Sequence, residues 1–483
     1  MNRELKRVSI VVMLMFIALL SSTSIVQAFQ ADNLSADPRN TRTLYDSYQV
    51  ERGAILVAGD PIAQSMPADD DYKFLRTYAN PELYAPITGY IPINGEPTGL
   101  EFALNAEMTG TSNSQFFDKI SALVTGQDPK GAAVEVTIDP VAQQAAWDAL
   151  GDYTGSVVVT EPTTGRILAM VSKPSFNPNL LTVHNNADVT ASYEALLADE
   201  NDPLINRTIN SLNPPGSIFK LVVTTAALES GDYTPESTFP NPAVYTAPGT
   251  TSKIENSSGS TCGAGETVTL ATALRLSCNI PFAELGVQLG DTAIRGTAEK
   301  FGFNSSYAIP MAVTTSVYPD GLDDPQTAQS AFGQYDVTTT PLQMAMVSAA
   351  IANGGVVMAP NLVQEILAPN LSAIQTFEPA ELGRVMSEKT ASTLTAMMIN
   401  GVQDGAASNA RIDGVDVAGK TGTAQNGSTD PFTLWFTGFA PADDPQFAIT
   451  VLIEDGGGEG QTGFGNKLAA PVAQKVLEAV LNK

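Results

Sequence analysis

The sequence predicts a mixed α/β (α+β) fold in which an antiparallel sheet is flanked by helices. Apolar stretches at 156–161 and 166–172, separated by Pro162-Thr163-Thr164-Gly165, predict a β-hairpin with a four-residue turn. The middle of the chain has helical patterns, the clearest at 341–353. The elements predicted at the end are strands at 415–423, 434–439 and 447–454 and a helix at 469–481. A hairpin, then helices, then three strands and a helix give such a sheet.

The N-terminus has the pattern of an exported protein. Arg3, Lys6 and Arg7 precede an apolar run at 8–29, which can span a bilayer because about 20 helical residues suffice. Val26-Gln27-Ala28 would also pass as a signal-peptidase site, so the run is either an anchor or a cleaved signal peptide. In both cases the basic residues stay in the cytoplasm and the rest of the chain is exported.

Composition excludes several classes of function. The 483 residues are enough for two or three domains. A formal net charge of −26 repels phosphate backbones, so nucleic acid is not expected as a partner. One histidine and two cysteines are too few for a tetrahedral zinc site, and neither a metal nor a cofactor is expected. A Ser-His-Asp triad would need His184, which stands in a polar stretch typical of a solvated loop.

Residues 30–150 form a first segment of short, weakly periodic pieces with frequent turns. Strands are predicted at 52–57 and 134–138, and 84–90 is predicted to be extended and turn-rich. A helix is predicted at 141–150, because Asp139-Pro140 is a good start signal. No cluster of titratable residues stands out here. We therefore interpret this segment as a spacer or docking module.

The stretch from Asn213 to Lys220 is predicted to be a loop that enters a buried helix. Pro214, Pro215 and Gly216 cannot extend a preceding helix, and the residues after Lys220 are apolar nearly all round. Positions i and i+3 share one helix face, so Ser217 and Lys220 can meet as nucleophile and base. A single S-x-x-K can also arise by chance, and the interpretation depends on what accompanies it.

Two later motifs accompany this pair. Lys420-Thr421-Gly422-Thr423 lies on a predicted strand, where Gly422 would let another group approach closely. The alternative is an edge strand whose lysine blunts the edge. Ser277-Cys278-Asn279 is a weaker S-x-N pattern, because 175–177 and 211–213 also match it.

In this order, S-x-x-K, S-x-N and K-T-G-T resemble the motifs of penicillin-binding proteins and serine β-lactamases. Residues 40–480 are similar to class B penicillin-binding proteins, above all to the compact penicillin-binding protein A type. The stretches that carry this similarity include Arg52-Gly53, Thr137-Ile138-Asp139, 165–172, Asn206-Arg207, Phe332-Gly333-Gln334 and 435–439. The resemblance implies a signal-anchor at 1–29, a non-catalytic, dimerisation-type pedestal at 30–150 and a transpeptidase domain at 151–483.

The implied activity is that of a serine D,D-transpeptidase that cross-links peptidoglycan stem peptides and is inhibited by β-lactams. Ser217 would attack the carbonyl between the last two D-alanines, and Ser277 would pass a proton to the departing D-alanine. The resemblance also implies that Asn279 holds the substrate amide and that Lys420 provides positive potential. Thr421 and Thr423, on either side of Gly422, would bind the terminal carboxylate. The backbone N–H groups of Ser217 and Thr423 would form the oxyanion hole. The family also implies a lipid-II polymerase partner and a single-pass protein whose catalytic domain lies outside the membrane.

Lys220 can act as the base only if it is neutral. A free lysine has a pKa of about 10.4 and would be protonated. Burial in an apolar helix and the second cation, Lys420, both disfavour the charged form. A core site can therefore supply the required fall in pKa.

Cys262 and Cys278 stand 16 positions apart in an exported domain. A disulfide is expected there, and two buried free thiols are the alternative. Because Cys278 is the middle residue of S-x-N, a bridge would hold that loop in the site. The glycine-rich tract at 454–460 is interpreted as a mobile loop beside the site, since its acids would repel phosphate.

Two other functions remain open. A β-lactam hydrolase of the class D type shares these motifs but must position a deacylating water. A non-enzymatic receptor or scaffold would bind a β-lactam or partner proteins without turnover. The pedestal and the anchor argue against the hydrolase, and the intact set of Ser217, Lys220 and Lys420 argues against a purely binding role.

Overall fold

A computed structural model describes residues 2–26, 48–112, 115 and 130–482. The α-helices in these ranges are α1 (Asn2–Ile25), α2 (Pro81–Thr88), α3 (Gly99–Ala103), α4 (Asn105–Met108), α5 (Pro140–Leu150), α6 (Asn186–Leu197), α7 (Arg207–Asn210), α8 (Lys220–Ser230), α9 (Leu270–Arg275), α10 (Ile280–Leu289), α11 (Asp291–Lys300), α12 (Asp324–Ser330), α13 (Pro341–Ala352), α14 (Glu388–Asp404) and α15 (Gly465–Leu481). Short 3₁₀ turns include Gly216–Phe219, Ser408–Ala410 and Asp455–Gly458.

The strands in the same ranges are β1 (Ile55–Val57), β2 (Asp60–Pro67), β3 (Phe74–Tyr78), β4 (Ala133–Val136), β5 (Gly155–Thr160), β6 (Ile167–Lys173), β7 (Thr238–Pro240), β8 (Val244–Thr246), β9 (Lys253–Glu255), β10 (Thr267–Thr269), β11 (Val356–Met358), β12 (Val363–Leu367), β13 (Ala373–Thr376), β14 (Glu381–Arg384), β15 (Ala418–Ala424), β16 (Thr433–Ala440) and β17 (Phe447–Ile453). Two larger sheets organise most of them.

The larger domain is built around a five-stranded antiparallel sheet in the order β15-β16-β17-β5-β6. Side chains alternate across it, as the period of a strand requires. On β16, Leu434 and Phe436 join the core beneath α5 and α15, whereas Trp435 and Phe439 face the core that contains α8 and α13. The predicted antiparallel sheet flanked by helices is confirmed.

Most predicted helices begin where their capping residues indicated. Asp139 accepts hydrogen bonds from the amides of Val141 and Ala142 at the start of α5. Thr340 accepts from Gln343 N at the start of α13. The last helix, α15, begins at Gly465, four residues before the predicted start at 469. That prediction relied on the spacing of apolar residues, which does not detect a first helical turn that begins with glycine.

The prediction that 84–90 is extended is wrong, because most of this stretch belongs to α2. Pro86 lacks the N–H that would bond to the carbonyl of Glu82, which ordinarily ends a helix. Here Ser175 Oγ donates to Glu82 O at 2.7 Å, and Gln143 Nε2 donates to Leu83 O at 3.0 Å. Distant side chains thus satisfy carbonyl groups of α2, and the sequence around Pro86 does not reveal them.

The second large sheet has six strands in the order β13-β12-β4-β1-β2-β3. β1 pairs with β4 in parallel, and the other neighbours are antiparallel. Its strands β12 and β13 come from residues beyond 360, whereas the other four come from residues 55–136. The first segment is therefore joined to the larger domain by shared backbone pairing, which chain order alone does not indicate.

The first segment contains a buried ionic cluster that the sequence analysis missed. Glu101 is fully buried and pairs with both Arg52 and Arg76, with 2.6 Å between Arg76 Nε and Glu101 Oε1. The Tyr78 hydroxyl donates to the same carboxylate at 3.2 Å. These residues are up to 49 positions apart in sequence, so only the fold brings them together.

Helix α1 covers most of the N-terminal run that was predicted to be an anchor or a signal peptide. Its segment Leu5–Ile25 is long and apolar enough to cross a membrane and is exposed throughout. About 20 helical residues suffice for a span. The predicted end of the anchor at residue 29, and all but Val26 of the alternative cleavage site, lie outside the described residues.

Candidate active site

The Ser217 loop is held against the edge of the five-stranded sheet. Gly216 has φ 52°, a left-handed conformation that favours glycine, and its N–H donates to Gly333 O at 2.9 Å. Trp435 Nε1 donates to Pro214 O at 3.0 Å. The 3₁₀ turn Gly216–Phe219 then leads directly into α8, which ends at the left-handed Gly231. The predicted loop and buried helix are present, with Ser217 on the 3₁₀ turn.

Ser217 and Lys220 are brought together by that turn. Residues i and i+3 eclipse in a 3₁₀ helix, and Lys220 Nζ lies 3.0 Å from Ser217 Oγ. Ser217 is 8% exposed and Lys220 is fully buried. Burial, and secondarily the nearby Lys420, holds the pKa of Lys220 well below its ordinary value.

Lys220 Nζ also lies 2.8 Å from Ser277 O and 2.9 Å from Asn279 Oδ1. A neutral amine has two N–H donors and one lone pair. It can therefore donate to these two oxygens and still accept the Ser217 hydroxyl proton. The S-x-N loop thus supplies the acceptors that orient a neutral lysine towards Ser217.

The S-x-N loop has an unusual backbone and several ties to its surroundings. Ser277 has φ 61°, which is uncommon for a residue with a side chain. Cys278 forms a disulfide with Cys262, with 5.8 Å between their Cα atoms. Asn256 Oδ1 accepts from Asn279 N at 2.8 Å and from Ile280 N at 3.1 Å. These bonds fix the loop at the point where α10 begins.

Lys420 points into the site from β15. This strand lies at the edge of its sheet, as the alternative interpretation of K-T-G predicted. However, Lys420 is only 3% exposed, so its charge does not protect the edge from pairing with another strand. Its Nζ lies 2.6 Å from Ser277 Oγ and 2.8 Å from Thr421 O. Burial lowers the pKa of Lys420 to about 7. The site therefore holds two lysines that lose their protons easily.

The remaining K-T-G-T residues pack closely around the Ser217 turn. A Cβ added at Gly422 would lie 2.9 Å from Pro215 O and 3.3 Å from Ile218 Cγ2. Thr421 Oγ1 donates to Ala406 O at 2.8 Å, and Thr423 Oγ1 accepts from Gly465 N at 3.2 Å. Both hydroxyls have protein partners here, and a carboxylate ligand would have to compete with the bond to Ala406.

A polar network behind the Ser217 loop was missed by the sequence analysis. Glu454 Oε2 lies 2.8 Å from Arg207 Nε, and Glu454 Oε1 accepts from Ser211 Oγ at 2.9 Å. Asn213 Nδ2 donates to Ser211 Oγ at 2.8 Å, and Asn213 Oδ1 accepts from Thr433 Oγ1 at 3.3 Å. The Ser211-Leu212-Asn213 match to S-x-N thus serves this network. Nothing in the sequence indicated this role for Glu454 except its position at the start of the glycine-rich tract.

His184 lies in a different part of the molecule. Its Nδ1 is 2.5 Å from Asp70 Oδ2, and its ring packs against Tyr72 with 4.6 Å between ring centroids. The side chain is largely buried, so the expectation of a solvated residue is wrong. The third S-x-N match, at 175–177, supports helix α2 through Ser175.

The chain matches two family models. Residues 155–478 match the penicillin binding protein transpeptidase domain. Residues 52–134 match the penicillin binding protein A dimerisation domain. The first match covers more than half of the chain and includes Ser217, Lys220, Ser277, Asn279 and Lys420.

Curated relatives and solved structures agree with these matches. The chain is 41% identical to the peptidoglycan D,D-transpeptidase PbpA of Mycolicibacterium smegmatis and 39% identical to that of Mycobacterium tuberculosis, covering all of this chain and at least 99% of each relative. A ceftriaxone acyl-enzyme complex of M. tuberculosis penicillin-binding protein A superposes with a TM-score of 0.88 at 38% identity, covering 90% of this chain and 100% of that one. Its penicillin G acyl-enzyme complex gives a TM-score of 0.85 at 37% identity, covering 89% of this chain and 100% of that one. This chain therefore belongs to the penicillin-binding protein transpeptidase family.

Proposed function

We infer that the chain is a peptidoglycan D,D-transpeptidase that works through an acyl-enzyme on Ser217 and that β-lactams inhibit. The observation that carries this assignment is the 3.0 Å approach of Lys220 Nζ to Ser217 Oγ at a buried site that also holds Lys420. The names of the PbpA relatives and the acyl-enzyme complexes among the similar structures support it.

The first proposed step is removal of the Ser217 proton by neutral Lys220. Serine is a poor nucleophile until an adjacent base accepts its proton. Burial and Lys420 keep the pKa of Lys220 low, and Ser277 O and Asn279 Oδ1 occupy its two donors. The Lys220 lone pair is thereby directed to Ser217 Oγ.

Acylation follows when Ser217 Oγ attacks the carbonyl between the last two D-alanines. The C–O bond to Ser217 forms, and the C–N bond to the terminal D-alanine breaks. Ser277 Oγ, 2.6 Å from Lys420 Nζ, passes a proton to the departing nitrogen and can regain one from Lys420. Proton transfer of this kind contributes about 10²–10⁴-fold to a rate.

The substrate is held by the residues around this centre. We assign the oxyanion to the backbone N–H groups of Ser217 and Thr423, each worth about 3 kcal/mol in comparable sites. Asn279 would hold the substrate amide, and Thr421 and Thr423 the terminal carboxylate. Gly422 permits the approach of β15 to the Ser217 turn that this arrangement needs.

Deacylation transfers the acyl group to an amine of a neighbouring stem peptide. The amine nitrogen forms the new C–N bond and gives its proton to Ser277, which passes one back to Lys420. The C–O bond to Ser217 breaks, and Lys220 returns to Ser217 Oγ the proton that it took in the first step. A β-lactam would acylate Ser217 in the same way. Its ring-opened product stays attached and blocks the second step.

We also propose a membrane-bound role. We propose a signal-anchor at 1–29, a pedestal or dimerisation-type domain at 30–150 and the transpeptidase domain at 151–483. The apolar helix α1 supports a single pass through the membrane, with the catalytic domain on the outer side, where peptidoglycan lies. A membrane-embedded lipid-II polymerase would be its partner in wall synthesis.

The test is covalent labelling of the full chain in detergent with a fluorescent penicillin, beside Ser217→Ala. Intact mass follows the lifetime of the adduct. A single long-lived adduct that is lost in the variant is expected. Rapid release of hydrolysed drug would favour the β-lactam hydrolase instead, and folded protein without any adduct would favour a scaffold.

A further inference from the structure

A cavity of about 610 Å³ lies where the first segment meets the larger domain. The first segment contributes Tyr90, Phe102 and parts of α2 and α3, and the larger domain contributes Phe176, Tyr193 and the stretch 203–206. Small-molecule sites in proteins typically have volumes of about 300–1,000 Å³. The cavity is therefore large enough for a ligand, and it is separate from the residues of the proposed acyl transfer.

The lining of this cavity is apolar and aromatic for the most part. Among the described residues, no charged side chain lines it, although the chain carries a net charge of −26. Phe102, Tyr193 and Ile205 are exposed, and large apolar side chains grouped around a cavity are typical of a binding site. A charged ligand would lose its hydration here without gaining an ionic partner, so the lining selects an uncharged ligand.

Tyr90 provides the polar contact in this lining. The residue is only 7% exposed, and its ring packs edge to face against Phe176 with 5.7 Å between ring centroids. Its hydroxyl has no hydrogen-bond partner among the described residues. Burial, and secondarily Tyr193, raises the pKa of Tyr90 to about 12, so the hydroxyl keeps its proton. Because buried polar groups normally have a partner, a hydrogen-bond acceptor on a ligand would complete this site.

The cavity also borders the polar network behind the Ser217 loop. Helix α7 and its capping residue Asn206 form part of the wall. Asn206 Nδ2 donates to Pro86 O at 2.8 Å, which joins α7 to α2. Arg207, the first residue of α7, pairs with Glu454. A molecule in the cavity would therefore contact both sides of the junction between α2 and α7, next to the helix that holds Glu454.

We propose that this cavity binds a small, uncharged, largely apolar molecule with a hydrogen-bond acceptor for Tyr90, and that its binding speeds acylation of Ser217. A ligand shifts an equilibrium towards the arrangement that it binds. Here that arrangement has α2 packed against α7, with Arg207 holding Glu454 behind the Ser217 loop. The binding site is independent of the proposed transpeptidase function, whereas the effect on acylation rests on it.

The experiment uses benzophenone as the probe, because it is an uncharged aromatic ketone whose carbonyl accepts hydrogen bonds. The full chain in lipid nanodiscs is irradiated with increasing concentrations of the probe. The excited ketone takes a hydrogen atom from a C–H bond, and the two carbon atoms then join, which leaves a carbinol adduct. Proteolysis and tandem mass spectrometry locate and quantify the adducts. We expect saturable labelling on the stretches 81–103 and 203–210.

Two variants and a matched control test the site. Tyr90→Phe removes only the hydroxyl, and the probe concentration for half-maximal labelling should rise about fivefold, as expected for the loss of one buried hydrogen bond. Ala312→Trp places a large side chain at an exposed position of the lining and should remove most of the labelling. Tyr153→Phe removes a hydroxyl outside the cavity and should label like the wild type. Labelling that does not saturate, or that is equal in all four proteins, overturns the site.

The effect on Ser217 is measured as the rate of penicillin acylation in the dark, with and without benzophenone. The wild-type rate should rise about fivefold at saturation, the lower end of the usual coupling between two sites, and the rate of Ala312→Trp should not change. An unchanged wild-type rate at saturating probe overturns the coupling to Ser217. Protein that is labelled in the cavity but forms no penicillin adduct at any probe concentration overturns the proposed function and supports the binding site.

Discussion

The side-chain nitrogen of Lys420 lies 2.6 Å from the hydroxyl oxygen of Ser277, although the two residues are 143 positions apart in sequence. This contact joins the K-T-G strand to the S-x-N loop. The same loop holds Lys220 through Ser277 O. A charge on Lys420 therefore acts on the proton affinity of Lys220, and its electrostatic effect lowers the pKa of Lys220.

Replacing Lys420 should change the pH dependence of acylation. In Lys420→Met the cation that lowers the pKa of Lys220 is absent, so the pKa of Lys220 rises. Because the base must be neutral, the acid limb of the rate of penicillin acylation should move to higher pH, and the rate at neutral pH should fall. Stopped-flow acylation from pH 5 to pH 10 measures both. Lys475→Met, which removes an exposed charge on α15, serves as the control, and an acid limb that moves to lower pH would contradict Lys220 as base.

Removing the disulfide should loosen the S-x-N loop. Cys262→Ala breaks the bridge to Cys278, the residue between Ser277 and Asn279. The free energy of unfolding should fall by about 3 kcal/mol in the chain-entropy model for a loop of this length. Acylation by penicillin should also slow, because Ser277 and Asn279 lose their fixed positions around Lys220.

The control is wild-type protein with and without a reductant, its oxidation state verified by mass. Reduced wild type should acylate as slowly as Cys262→Ala. Equal acylation rates in the oxidised wild type and in Cys262→Ala would show that the bridge does not position the loop.

A methyl group at Gly422 should separate β15 from the Ser217 turn. In Gly422→Ala the new Cβ would lie 2.9 Å from Pro215 O and 3.1 Å from Trp435 Cβ, so backbone must move. A displacement of about 1 Å at a reacting group can cost about 10²-fold, and we expect the acylation rate to fall at least tenfold. Gly296→Ala, where nothing lies within 4 Å of the added Cβ, is the matched control and should acylate normally. A Gly422→Ala protein with the wild-type rate would refute the close packing inferred here.

The pair Arg207 and Glu454 should be energetically coupled. Both side chains are largely buried, with 5% of Arg207 and 21% of Glu454 exposed. Either single change, Arg207→Gln or Glu454→Gln, leaves a charge without its partner and should cost about 2 kcal/mol, less than for a fully buried pair. The double variant should lose less than the sum by about 1 kcal/mol. Denaturant unfolding of the four proteins gives the coupling energy, and strict additivity would argue against the pair.

The sequence by itself determined the order and type of the main elements and the pairing of Ser217 with Lys220. These features follow from local rules. The period of the apolar residues and capping residues such as Asp139 and Thr340 predict the elements, and residues i and i+3 meet because they lie on one helix face. The motif residues Ser277, Asn279 and Lys420 were identified by their order along the chain and by family resemblance. The distances between the atoms of these residues in the folded protein could not be predicted in this way.

Only the tertiary structure decided how these motifs meet and what surrounds them. The 2.6 Å contact of Lys420 with Ser277, the buried cluster around Glu101 and the network of Glu454 each join residues far apart in sequence. Helix α2 likewise depends on Ser175, which is 93 positions from the carbonyl it satisfies. Such contacts depend on packing and on desolvation of polar groups, which local periodicity does not encode. The same packing buries Lys220 and Lys420 and so gives two ordinary lysines the low pKa values that the proposed chemistry needs.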